Sequence, residues 1–166
     1  FIEIIEEEIK MKKLKLTFVE ENVSAIAELF EDKTPKKAEA VWKMLETPLE
    51  NKGIHGKWTG CEISYNIPPE RFPNDEGFVA PENQTIIPLP GDLIWNAYHP
   101  YEWFGNPKPV YDFGIFYARE SRLLLPGGWR ASNRFGQIVE NLDEFANMCA
   151  RCQSEGVKVI RLERVE

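Results

Sequence analysis

Two stretches of this sequence bring together residue types that could do chemistry. Along Trp58, Gly60, Glu62 and Ser64, period-two spacing sends an aromatic ring and a carboxylate to one face of an extended segment, and the glycine between them leaves room for a ligand. Glu62 is the candidate acid or base there. The same residues also fit a solvent-facing strand with Trp58 laid on a neighbouring helix. In the run Gly127-Gly128-Trp129-Arg130-Ala131-Ser132-Asn133-Arg134, paired glycines let backbone N–H groups approach a ligand. Arg130 could grip a carboxylate through two parallel hydrogen bonds, with Asn133 beside it as a further ligand contact. A flexible turn with solvated arginines fits that run equally.

His55 and His99 are the two imidazoles of the chain, and with Glu62 or Asp92 either could act as a general base near neutral pH; His99 joins Glu62 as the catalytic pair of this reading. Each also sits beside a turn residue, as ordinary loop histidines do. A metal held by His55, Glu62 and His99 has suitable ligand types but no diagnostic spacing, and neither a metal nor a cofactor is expected. Cys149 and Cys152 have the two-residue gap of zinc and redox motifs, yet Cys149 continues an apolar helical stripe and no second cysteine pair exists, which favours packing. Tyr98, Tyr101, Trp103, Phe104 and Tyr111 cluster around a proline-rich loop. That loop is either a mobile aromatic lid over a pocket, with Trp103 and Tyr111 as ligand contacts, or a loop pinned by its own side chains.

These residues must be positioned by the elements around them. Leu14, Leu16 and Phe18 alternate with polar residues as a half-buried strand does. Val23 to Phe30 is rich in Ala, Glu and Leu and has helical propensity. Thr34 and Pro35 mark a helix start, with a stripe of Ala38, Val41, Trp42 and Leu45 running until Pro48. Alternation over Lys57 to Ile67 predicts one long strand. Prolines 68, 69, 73 and 81 make 68–82 an irregular loop. Strands are expected at 85–87, 93–98, 111–118 and 123–125, with a second irregular loop over 101–109. Phe135 to Glu140 is a further strand. Asn141 and Glu144 stand at capping-box spacing before a stripe of Leu142, Phe145, Ala146 and Cys149 that runs to Gly156, and Val157 to Val165 alternates as a final strand. Two helices among seven or eight strands predict a mostly β fold, a closed barrel with the helices plugging its ends.

Length and charge limit what such a barrel can do. The 166 residues are enough for one good core, and 43% apolar and 28% charged residues are ordinary globular values. Residues 11–166 read as a single domain. Residues 1–10 read as an extension before Met11, whose Ile2, Ile4, Ile5 and Ile9 could pack on a neighbouring subunit. A formal net charge of -7 disfavours nucleic acid. No apolar run approaches the roughly 20 residues of a membrane span, so no membrane partner and no signal peptide are expected. Three cysteines without a regular framework of pairs suit a reducing cytoplasm.

Three passages resemble cyclophilins. Ala27-Glu28-Leu29-Phe30-Glu31-Asp32 followed by Pro35-Lys36-Lys37-Ala38-Glu39 and Leu45 is similar to the cyclophilin strand-to-helix passage. That similarity makes Val23 to Phe30 a strand in spite of its propensity. Phe135-Gly136-Gln137-Ile138-Val139-Glu140-Asn141-Leu142-Asp143 resembles the family's Phe-Gly-x-Val-Val-Glu-Gly-Met-Asp corner. Pro90-Gly91-Asp92 resembles the corner opening a mid-barrel strand in the smaller bacterial cyclophilin-like proteins. Order and spacing over Leu14 to Val165 look most like a bacterial and archaeal cyclophilin-like family known as domain of unknown function 3830, which implies the fold more than an activity. Prolyl isomerases carry an Arg, a Phe and a Gln in a short run, and nothing in His55 to Asn66 reproduces that set.

The expectation is therefore a small-molecule site at one mouth of the barrel, lined by Trp58, Glu62, Trp103 and Arg130. It would take a polar metabolite bearing a carboxylate or amide, with Glu62 as acid or base and Arg130 as anchor. Cyclophilin-like domains also occur in proteins resembling subunits of amide- and lactam-cleaving hydrolases. The alternative is a non-catalytic binding or assembly module that forms a homo-oligomer through the aromatic loop and the N-terminal extension. Prolyl isomerase is third, disfavoured by the missing arginine set.

Overall fold

Strand alternation fixes which residues look inward, and the inward residues close the structure on itself. In the computed structural model, which describes residues 10–166, the elements are β1 (Lys13–Phe18), β2 (Val23–Leu29), α1 (Pro35–Met44), β3 (Leu49–His55), β4 (Glu62–Ile67), β5 (Gln84–Thr85), β6 (Asp92–Tyr98), β7 (Val110–Phe116), β8 (Leu124–Leu125), β9 (Gly128–Trp129), β10 (Ser132–Glu140), α2 (Leu142–Glu155) and β11 (Lys158–Arg164). The apolar edge expected from Ile2, Ile4, Ile5 and Ile9 lies outside the described residues.

The strands run in the order β2-β1-β11-β3-β4-β7-β6-β10, and β10 pairs back onto β2, closing an antiparallel barrel. The fold is mostly β, a closed antiparallel barrel with two helices. Leu14, Leu16 and Phe18 of β1, Ile63 and Tyr65 of β4, and Phe113 and Ile115 of β7 are all fully buried in its core. β2 is a strand because it has a ladder on each side, β1 at one edge and β10 at the other, and because Ala25, Ala27 and Leu29 point inward. Those contacts outweigh its helical propensity. β10 serves two neighbours through irregularities between Arg134 and Gly136 and between Ile138 and Glu140, which bend it round the closure. At Gly136 a Cβ would stand 2.7 Å from the Glu28 carbonyl oxygen, so only glycine allows β2 and β10 to approach there.

The helices pack on this wall, α1 against β10 and α2 against β2 and β3. α1 buries Ala38, Val41 and Met44 together with Lys37. Thr34 stands at its N-cap position, but its hydroxyl donates back to the Phe30 carbonyl at 2.9 Å instead of capping the helix. Asn141 opens α2 in the left-handed region at φ 59°. The expected pairing with Glu144 occurs through side chains, at 3.1 Å, and the other bond from Asn141 Nδ2 ties the corner to the Ser24 carbonyl. Cys149 and Cys152 are both buried in the core, without a disulfide. No helix among the described residues is long and apolar enough to cross a membrane.

Two expectations are corrected. The single strand over 57–67 is a turn at 56–61 followed by β4, because Gly60 takes φ +90° and the chain folds back so that Gly56 N–H reaches the Glu62 carbonyl at 2.8 Å. β3, which alternation does not announce, fills the place between β11 and β4. Its Gly53 lies where a Cβ would meet Ile160 at 2.6 Å.

Candidate functional site

Because Ile63, Tyr65, Phe113 and Ile115 face inward, their neighbours Glu62, Ser64, Asn66 and Asp112 face outward. The outer wall over β4, β7 and β6 is nevertheless covered. The turn 56–61, the loop between β6 and β7, and Leu125 enclose a cavity of about 270 Å³ against it, lined by Glu62, Ser64, Asn66, Asn96, Tyr98 and Asp112 on the wall and by Trp58, Trp103 and Phe104 at the rim. The expected site at the barrel mouth is thus displaced: the barrel interior is filled by core side chains, and the opening lies on the outside of the wall.

Register explains the convergence. Asn66 and Asn96 sit opposite Asp112 on its two sides, making a polar row across three strands. Glu62 stands opposite Phe116 at the end of β4, and the intervening position on β7 is Gly114, where a Cβ would lie 2.7 Å from Glu62 Oε1. Glu62 is only 4% exposed. Thr59 donates its hydroxyl to Glu62 Oε2. Gly56 leaves that contact room, since a Cβ there would lie 2.7 Å from Thr59 Oγ1 and 3.0 Å from Glu62 Oε2. Asp112 Oδ1 accepts from the Ser64 hydroxyl at 2.7 Å and from the Tyr65 N–H at 3.2 Å.

Burial pushes both carboxyls up. Glu62 rises to about 8, first through burial and then through the negative charge of Asp112, with the Thr59 hydrogen bond pulling the other way. Asp112 rises to about 6 through burial, moderated by Ser64 and the Tyr65 N–H. Two neighbouring carboxyls in different surroundings therefore release their protons in sequence, Asp112 first. Tyr98 completes the wall. Burial raises its phenol, Arg130 opposes that rise, and Asp112 and Glu62 add to it.

The rim is aromatic. Trp58 meets Trp103 edge-on at 6.1 Å and stacks on Phe104 at 6.0 Å, and Trp103 packs on Tyr98 at 4.6 Å. The loop carrying Trp103 is pinned by its own bonds, Tyr101 N–H to the Asn106 carbonyl at 2.6 Å and His99 N–H to Glu102 at 2.7 Å. The loop secures itself and overhangs the cavity.

Of the residues singled out in the sequence, Trp58, Glu62, Ser64, Tyr98, Trp103 and Phe104 converge here, with His55 at the edge. The others are held elsewhere. His99 is exposed and stacks flat on Phe78 at 4.1 Å, away from Glu62. Arg130 lies over the Tyr98 ring at 4.3 Å, donates to the Ala97 carbonyl at 2.8 Å and pairs with Glu102 at 3.3 Å, so its guanidinium is engaged behind the cavity wall. Asn133 is buried and holds the strap at 80–83 through the Ala80 carbonyl and the N–H groups of Glu82 and Asn83. Tyr111 faces the core among Phe72, Phe78 and Trp95. The paired glycines at 127 and 128 turn the β8–β9 hairpin: Gly128 takes φ +114°, and nothing lies within 4 Å of a Cβ at either.

His55 reaches the cavity edge, but its nitrogens are engaged, Nδ1–H donating to the Gly56 carbonyl at 2.9 Å and Nε2 accepting from the Tyr117 hydroxyl at 2.7 Å. His55, Glu62 and His99 do not gather, and no cluster of three His, Cys, Asp or Glu able to hold a metal occurs among the described residues. Asp112, Asn66 and Asn96 are site residues that sequence reasoning did not select. The signal for Asp112 was a single charge at the centre of the apolar run Val110-Tyr111-Asp112-Phe113-Gly114-Ile115-Phe116.

A family model described as "Protein of unknown function (DUF3830)" matches residues 16–164. Among solved structures, the chain is similar to McbB, determined in complex with tryptophan, at 14% identity and a TM-score of 0.64. The likeness covers 90% of this chain and 44% of that one. It is similar to the hypothetical protein AF2241 from Archaeoglobus fulgidus at 16% identity and a TM-score of 0.53, over 93% of this chain and 95% of that one. A cyclophilin-type peptidyl-prolyl cis-trans isomerase of Cryptosporidium parvum matches at 14% identity and a TM-score of 0.48, over 95% and 99% of the two chains. No curated protein matches the chain in sequence. At such identities the structural likeness is one of fold.

Proposed function

The chain belongs to the DUF3830 family, and because that name assigns no activity, we propose from the site's own chemistry that the outer-wall cavity binds a small molecule and that Glu62 and Asp112 act on it as proton donor and proton acceptor. The observation that carries this reading is the pairing of two carboxyls, one almost wholly buried, whose surroundings hold their proton affinities apart. Near pH 7 the pair keeps one proton between carboxyls of unequal affinity, Glu62 being the more strongly raised, which is the division of labour that acid–base catalysis needs. Tyr98, Asn96 and Ser64 supply polar contacts that orient a ligand, and Trp58, Trp103 and Phe104 exclude water from above.

Of the carboxylate and amide ligands expected from sequence, the amide fits better. The negative charge of the pair repels a carboxylate, and Arg130, its expected anchor, is occupied. A thermal-shift screen of small carboxylates, amides, lactams, ureido acids and amines tests the proposal on the wild type, Glu62→Gln and Asp112→Asn. A ligand at about 100 times its Kd adds roughly 2.7 kcal/mol. A hit weakened by both substitutions is expected; hits indifferent to both would move the site elsewhere.

A non-catalytic binding or assembly module is the second reading, and a different surface favours it. Ile87, Leu89 and Trp129 are exposed around a groove that also holds Arg119 and Arg122, an apolar patch with a charged rim. Sedimentation of the wild type and of Trp129→Ala tests it: concentration-dependent association lost in the variant supports assembly, and a monomer throughout dismisses it.

A further inference from the structure

We propose that the molecule this cavity takes is a small monocation, an ammonium or amidinium group on a flat apolar body. The inference rests on the reading of the cavity as a ligand site and adds the charge of its occupant. It begins from an imbalance within the chain. Asp92, fully buried, is paired with Arg134 at 2.6 Å, and Glu21 and Glu102 each have a lysine or arginine within 3.3 Å. Neither Glu62 nor Asp112 has a cation partner among the described residues. A buried charge without a partner is costly; Glu62 meets that cost by keeping a proton and the half-buried Asp112 by accepting from Ser64 and the Tyr65 N–H, which leaves the pair's one negative charge without a cation among the described residues.

The groups around the pair do not supply it. Lys57 is exposed at the rim and joins no ion pair among the described residues, His55 has both nitrogens engaged, and Arg130 is bound beyond Tyr98. The protein's donors are spent on one oxygen of each carboxyl, Thr59 on Glu62 Oε2, and Ser64 with the Tyr65 N–H on Asp112 Oδ1. Asp112 Oδ2 remains as an acceptor and Glu62 Oε1 as the oxygen free to carry the pair's proton, neither bonded among the described residues. Tyr98 is a further polar group free to contact a ligand in the cavity. It is 5% exposed, it lines the cavity, and its hydroxyl has no hydrogen-bond partner among the described residues.

The Asp112 carboxylate and the Tyr98 phenol oxygen, both lining the cavity, suit the diverging N–H groups of an ammonium or amidinium, while a Glu62 that keeps its proton adds no second negative charge. With one proton kept by the pair, its net charge near neutrality is that of a single anion, which one positive charge balances. Above it, Trp58, Trp103 and Phe104 offer ring faces that attract a cation and cover an apolar body.

The test uses the intact chain at pH 7 with benzylamine and benzamidine as cationic probes and benzamide and benzoate as neutral and anionic controls. Titration is followed by the tryptophan indole N–H signals in NMR, with those of Trp58 and Trp103 assigned by Trp→Phe variants. The cationic probes are expected to shift those two signals and to bind at least tenfold more tightly than benzamide, with benzoate weaker still. Asp112→Asn should bring benzylamine down to the benzamide level, and Tyr98→Phe, which keeps both carboxyls, should weaken the cations several-fold. Benzamide or benzoate binding at Trp58 and Trp103 as tightly as benzylamine would overturn the monocation and leave the ligand site standing. Failure of all four probes to move those signals would overturn both.

Discussion

Replacing Glu62 with Gln removes one titrating proton while keeping an oxygen that can accept from Thr59. The wild-type carboxyl rises from an ordinary 4.5 to about 8 on folding, through burial first and the charge of Asp112 second. Between those two pH values the folded chain holds a proton that the unfolded chain has released, so stability falls as pH rises. The contribution favouring the fold is complete below 4.5 and is lost as pH rises through 8. At about 1.4 kcal/mol for each tenfold change in proton affinity, the upper bound is about 5 kcal/mol, and roughly 2–4 kcal/mol is expected once the joint titration with Asp112 is allowed for. Glu62→Gln has no such dependence. Its stability relative to wild type should climb by that amount from pH 4.5 to 9, while Asp112 and Lys37, present in both proteins, largely cancel in the difference. Urea denaturation at several pH values, read from midpoints at constant slope, measures it. A difference that stays flat across the window would refute the argument, because it would mean that Glu62 ionises as it does in water.

Lys37 should show the opposite sign. It is buried, with its ammonium 4.0 Å from the Trp95 ring centre and donating to the Gly77 carbonyl at 3.0 Å; burial lowers it from 10.5 to about 7 against the pull of Glu82. The unfolded chain then holds the extra proton between those values and stability rises with pH, so the advantage of Lys37→Met in denaturation should be largest at or below pH 7 and shrink toward pH 10.5. Gly114→Ala puts a methyl 2.7 Å from Glu62 Oε1, 3.1 Å from the Phe116 ring and 3.3 Å from the Ile94 carbonyl oxygen. It should cost about 1–3 kcal/mol in urea and abolish binding of a benzylamine probe, whereas a neutral substitution with unchanged binding would contradict the packing described. Arg130→Ala loses a bond to Ala97 and an exposed pair with Glu102. It should lower stability by about 1 kcal/mol and change probe affinity in calorimetry by less than threefold; loss of binding would restore Arg130 as an anchor.

Much of the barrel was legible because its signals are local. Leu14, Leu16 and Phe18 alternate where β1 lies, and the Phe135 to Asp143 corner leads from β10 into α2. β2 needed more than propensity, since Val23 to Leu29 is held extended by two flanking strands that lie far from it in sequence. β3 was hidden because Asn51, Lys52 and Gly53 interrupt its apolar pattern, Gly53 for the sake of Ile160. In the site, alternation correctly placed Glu62 and Ser64 on one face. It could not tell that this outward face is roofed, because the roof comes from the turn at 56–61 and from Trp103 and Phe104, some forty residues further along the chain. Arg130 and His99 carried attractive chemistry, but their partners, the Ala97 carbonyl and the Phe78 ring, are tertiary neighbours. Asp112 was legible in principle, being a charge that an apolar strand would not carry without a use.

The most direct measurement is a 13C NMR titration of the side-chain carboxyl signals of Glu62 and Asp112 in the wild-type chain. Asp112 should titrate near 6 and Glu62 near 8, each sensing the other's transition, so that one proton resides on the pair at neutrality. Two independent midpoints near the ordinary values of 3.8 and 4.5 would show a pair of solvated carboxylates and contradict the acid–base site.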